Sequence, residues 1–129
     1  MIAKYETLPN IQSVIEVNAP TFAALSRNNK DKTINLLKLM IIAFDRFVNV
    51  RNSLSEDHID FIVSTILSRY KWMTTADLCY VLGEAKMGKH GNLYERLSPM
   101  QIFSWIDNYF EQRCSIAENN SIRSSEQFK

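Results

Sequence analysis

Between Asp31 and Val50 the apolar residues fall at Ile34, Leu36, Leu37, Leu39, Met40, Ile41, Ile42, Ala43, Phe44, Phe47 and Val48. On a helix turning about 100° per residue they cover more than one face. Only Asn35, Lys38, Asp45 and Arg46 mark a solvent edge. Such a helix has to be contacted from several sides, so the segment is expected at the centre of a bundle. The other arrangement is a dimer seam, because soluble monomers rarely leave large apolar patches uncovered; the intrachain core is the preferred reading. The run Leu36–Phe44 is interrupted by Lys38 and stopped by Asp45-Arg46, which makes it too short to span a membrane.

The rest of the chain reads as shorter helices with recognisable starts. Three glycines and three prolines in 129 residues are few for an all-β fold with its many turns. Thr7-Leu8-Pro9 can open a short helix through Val17, with proline at the first helical position and Ile11, Val14 and Ile15 facing inward. Thr21 can cap another over Phe22 to Ser26, closed by the polar turn Arg27-Asn28-Asn29-Lys30. Ser55 can cap a third, with Glu56 and Asp57 in its first turn and Ile59, Ile62, Val63, Ile66, Leu67 and Tyr70 continuing to Trp72. The expected fold is one all-α domain, residues 1–117, a bundle of five or six helices around the central apolar one. Residues 118–129 are polar and serine-rich and are expected to fray or extend.

From Thr74 to Arg113 two amphipathic helices flank a basic loop. Thr74 with Asp77 has the form of a capped start, and Gly88 stands where a helix commonly ends on positive φ. Ser98-Pro99-Met100-Gln101 combines a capping serine, a proline at the first helical position and the glutamine of a capping box. Ile102, Ile106, Tyr109, Phe110 and Cys114 then form a broad stripe expected to be buried, flanked by Phe103 and Trp105. The pattern Thr-x-x-Asp, Lys-x-Gly-Lys-His-Gly-x-Leu-Tyr, Ile-Phe-x-Trp-Ile-x-x-Tyr-x-x-x-Arg resembles one found in small helical proteins of phages and mobile elements of gut Bacteroides-type bacteria. The resemblance covers about Met73 to Arg113, roughly a third of the chain. It implies a mobile-element setting in a bacterial host, close to DNA replication, and transfers no catalytic residue.

No catalytic, metal or cofactor constellation stands out, and the protein is expected not to be an enzyme. His58 sits among Glu56, Asp57 and Asp60, a first turn that helix-dipole preference explains, with no second histidine in helical reach. His90 lacks a nucleophile motif beside it. Cys79 and Cys114 have no CxxC spacing and read as small buried hydrophobes of a reducing compartment. No basic stretch followed by an apolar run suggests a signal peptide, and the expected location is the cytoplasm.

The candidate binding residues are Lys86, Lys89, His90, Tyr94 and Arg96 in the loop. Lysine and arginine can hold phosphates there while Tyr94 stacks on a base. The formal net charge of only +1 argues against a dedicated nucleic-acid binder. The leading expectation is an adaptor working through protein–protein contact. Nucleic-acid binding through the loop, a virion or self-assembling role, and a homodimer stay open as alternatives.

Overall fold

The computed structural model describes residues 8–91 and 96–127. Over those residues the chain forms six helices: α1 (Ile11–Val17), α2 (Phe22–Asn28), α3 (Lys30–Val48), α4 (Glu56–Arg69), α5 (Thr75–Lys86) and α6 (Pro99–Gln127). Short polar side chains start them by taking up N–H groups that have no partner inside the helix. Thr21 accepts from the Ala24 N–H, Ser55 from that of His58 and Thr74 from that of Asp77. His58 completes a capping box by accepting the Ser55 N–H on its Nδ1, so its place in the first turn is structural. At the start of α6 the Gln101 side chain reaches back to the Ser98 N–H at 2.7 Å. The first helix begins later than the proline suggests: Asn10 is its cap, accepting from the Ser13 N–H at 2.9 Å.

α5 ends on the turn that Gly88 allows. Gly88 has φ +78°, its N–H bonds to the Ala85 carbonyl, and the Lys89 N–H bonds to that of Glu84. This pair of bonds is a Schellman closure, and only a residue free to adopt positive φ makes it without strain.

α3 packs against α2, α4 and α5; α6 packs against α1, α4 and α5. Leu37, Met40, Ile41 and Phe44 of α3 join Ile62, Val63 and Ile66 of α4 and Ile102, Trp105 and Ile106 of α6 in one core. The helix enclosed on most sides is nevertheless α5, in which Ala76 to Gly83 and Ala85 are all buried. Small residues at Ala76, Cys79, Gly83 and Ala85 let neighbours approach it closely. The longer and more apolar α3 keeps an uncovered face: Leu39 is 65% and Phe47 62% exposed.

Several boundaries depart from expectation for local reasons. α4 stops at Arg69, not Trp72, and the next turn serves α2: the Phe22 N–H bonds to the Met73 carbonyl at 2.7 Å and the Ala23 N–H to that of Lys71 at 3.0 Å. Phe110, expected in the buried stripe, is exposed on the outer side of α6, its ring tilted against half-buried Trp72. Residues 118–127, expected to fray or extend, continue α6 as helix. Asn120 anchors it by donating to Gln12 of α1 at 2.8 Å, a contact 108 residues apart in sequence. Cys79 is buried, Cys114 is half-buried, and no disulfide joins them. No helix among the described residues is long and apolar enough to cross a membrane.

Candidate functional site

The basic loop lies at one end of the bundle, and its residues turn to four different neighbours. Lys86, at the end of α5, holds its ammonium 4.6 Å from the centre of the Phe47 ring on α3. Lys89 pairs with Glu84 at 3.4 Å. His90 stacks on Trp105 of α6, with ring centres 5.1 Å apart and planes within 14°. Arg96 is placed by backbone pairing of its segment with Asn52, and the following Leu97 N–H bonds to the Asn52 carbonyl at 3.2 Å. Tyr94 lies outside the described residues.

His90 is surface-exposed at its edge, yet burial of the ring holds it below its ordinary value of 6.5, while the nearby Glu84 carboxylate opposes the shift. With the folded value depressed, the unfolded chain binds the proton more readily. The histidine's contribution to stability is therefore intact above the unfolded value and declines as pH falls through 6.5 towards the folded value. NMR titration of the His90 ring should give a midpoint below 6.5, and His90→Gln should remove this part of the pH dependence of unfolding. A midpoint above 6.5 would mean that Glu84 outweighs burial.

Beneath His90 a hollow of about 20 Å³ lies between α5 and α6, bordered by Tyr80, Glu84 and Tyr109. It has room for a water and none for a substrate. Burial, reinforced by Glu84, raises the Tyr80 hydroxyl to about 12. Burial and the Asp77 charge hold the Tyr109 hydroxyl far above its usual range. Neither hydroxyl is suited to give up a proton near neutral pH.

Sequence reasoning missed the polar cluster behind this hollow. Asp77 is fully buried. One carboxylate oxygen accepts from the Thr74 N–H at 2.8 Å and the Thr74 hydroxyl at 3.1 Å. The other accepts from the Tyr109 hydroxyl in a short hydrogen bond and from Arg113 Nε at 3.1 Å. The signal was present in the spacing: Tyr109 and Arg113 are four apart and so share one face of α6. With about four acceptor positions on a carboxylate, Asp77 is saturated. Its role is to join the start of α5 to the middle of α6.

A groove was also missed. It opens between α3 and α5, has a volume of about 300 Å³, and is lined by Leu39, Ala43 and Phe44 on one side and Cys79, Leu82 and Lys86 on the other. Leu39, Ala43 and Phe47 are spaced by four along α3, which lines them up on a face distinct from the one that is buried. Met87, next to Lys86, is 64% exposed. Lys86 is the only charge on the groove lining among the described residues, and Arg46 stands exposed beside Phe47. Phe44 makes an edge contact with Trp105, at 5.9 Å between centres, so groove wall, Trp105 and His90 touch in series.

Among the described residues no group of three or more His, Cys, Asp or Glu side chains is placed to hold a metal. In comparisons with known proteins, the chain matches no family model, no curated protein and no solved structure.

Proposed function

We propose that the protein is a non-enzymatic adaptor that binds a partner protein through the α3–α5 groove. The observation that carries this reading is the uncovered apolar row Leu39, Ala43 and Phe47 beside a 300 Å³ opening. Grooves of this kind accept an amphipathic helix, whose side chains one and two turns apart fill successive positions. Lys86 and Arg46 at the edge favour acidic residues flanking the apolar face of that helix, which would steer its approach. The mobile-element setting and its link to DNA replication rest on the resemblance of residues 73–113.

Nucleic-acid binding through the loop is the weaker reading. A phosphate site gathers its cations around one point, whereas Lys86, Lys89 and His90 are each engaged by a different ring or carboxylate of the protein itself.

The test compares wild type with Phe47→Glu and Leu39→Glu in capture from nuclease-treated host extract, followed by affinity measurement on the purified partner. Both residues are exposed, so the variants should fold; Phe47→Glu gives up the ring contact with Lys86, worth about 0.5–1 kcal/mol, and sets a carboxylate near that ammonium. If Phe47 is a central anchor, its replacement should weaken the partner roughly thirtyfold, about 2 kcal/mol. Capture abolished by nuclease, or equal in all three proteins, would reject the groove as the docking site. Concentration-dependent dimerisation lost in the variants would instead make a second copy the occupant.

A further inference from the structure

A second opening, of about 660 Å³, lies where α2, α3 and α4 meet. On α3 it is bordered by Lys30, Ile34 and Lys38, a row four residues apart that is separate from Leu39, Ala43 and Phe47. Arg27, in the last turn of α2, adds a third cation. Lys38 is paired with Asp60 of α4 at 3.2 Å, and both are about half exposed. Arg27 and Lys30 form no ion pair with a described residue. Three cations thus face one carboxylate, above a floor of Ile34, Val63 and Leu67.

Ser26 lines the same cleft. Its hydroxyl oxygen is the one buried side-chain polar atom among the described residues that has no hydrogen-bond partner. A buried hydroxyl is ordinarily paired, and a serine within a helix usually turns back to the carbonyl four residues earlier. Here that capacity is unused, next to Arg27 and Lys30, which have no ion-pair partner among the described residues.

We propose that this cleft binds a small molecule carrying a phosphate on an apolar or aromatic body. Arg27 and Lys30 meet the phosphate oxygens, Arg27 with the paired N–H geometry that suits them. The Ser26 hydroxyl, enclosed in the unliganded protein, swings about its Cα–Cβ bond on binding to donate to one of those oxygens, and the body lies on Ile34, Val63 and Leu67. Two cations without an ion-pair partner among the described residues suit a dianion better than a single carboxylate. The volume falls within the roughly 300–1,000 Å³ of small-molecule sites.

The experiment is an amide-resolved NMR titration of the full chain with phenyl phosphate, inorganic phosphate and phenol. Phenyl phosphate should give saturable shifts at Ser26, Arg27, Lys30 and Ser64, and should bind more tightly than either fragment. The Arg27→Ala, Lys30→Ala double variant should weaken it roughly tenfold or more, as expected for lost hydrogen bonds to a charged group. Both side chains are exposed, so folding should be unaffected. Ser26→Ala should also weaken phenyl phosphate while leaving Tm unchanged or raised, because the described residues of the unliganded protein then hold no buried unpaired hydroxyl. A serine with only a structural role would lower Tm and leave affinity alone. Shifts that rise linearly over the basic surface, affinity indifferent to these variants, or phenol binding as tightly as phenyl phosphate would each overturn the proposal.

Discussion

Replacing Ile41 with Asp should leave a chain with no cooperative unfolding transition at room temperature. Ile41 is fully buried on the inner face of α3, among side chains of several helices. The substitution removes a whole aliphatic side chain, costing about 2–5 kcal/mol. It also buries a carboxylate with no partner, at several kcal/mol more. Together these are on the order of the entire stability of a domain this size, about 5–15 kcal/mol. Leu39→Asp is the matched control: it lies two residues away on the same helix but is 65% exposed, and it should melt close to wild type. Equal far-UV circular dichroism melts for the two variants would contradict the packing described for α3.

The second large effect is expected at Asp77. Asp77→Ala removes the acceptor for the Thr74 N–H and hydroxyl, for Tyr109 and for Arg113 in one step. It leaves a buried phenol unpaired and a 29%-exposed guanidinium without its carboxylate. Breaking a buried pair from one side costs about 3–5 kcal/mol, and loss of the capping box adds roughly 1 kcal/mol. Asp77→Asn keeps the shape and part of the cap and should fall in between. Tyr109→Phe should cost far less, about 1–2 kcal/mol, since it removes one donor and leaves the carboxylate its other bonds. Urea denaturation of the three variants checks the order; if Asp77→Ala is no worse than Tyr109→Phe, the cluster does not act as a unit.

What could be read from the sequence was what depends on near neighbours. The caps at Thr21, Ser55 and Thr74 and the glycine ending at Gly88 are set within four residues, and all four are in the structure. The all-α bundle follows from the same local signals. What could not be read depends on partners distant in sequence. The apolar count of α3 says nothing about which of its faces the rest of the chain will cover, so Leu39 and Phe47 passed as core. The polar composition after residue 117 hid an anchor supplied by Gln12. The loop cations looked like one patch because they are adjacent in sequence; in the structure Lys86 turns to Phe47, Lys89 to Glu84 and His90 to Trp105.

The enclosure of α5 also sets an order of events during synthesis. Thr74 and Asp77 can close their capping box as soon as both have emerged, whereas Tyr109 follows Asp77 by 32 residues. At the roughly 5–20 residues per second of translation, that is a delay of roughly 2–6 s. Throughout it the nascent chain carries a helix that is buried along most of its length in the finished fold, with α6 still to come. Of the described helices α6 is made last, and it closes the bundle over α5, so a ribosome stalled before residue 109 holds α1 to α5 without the helix whose Tyr109 and Arg113 pair with Asp77.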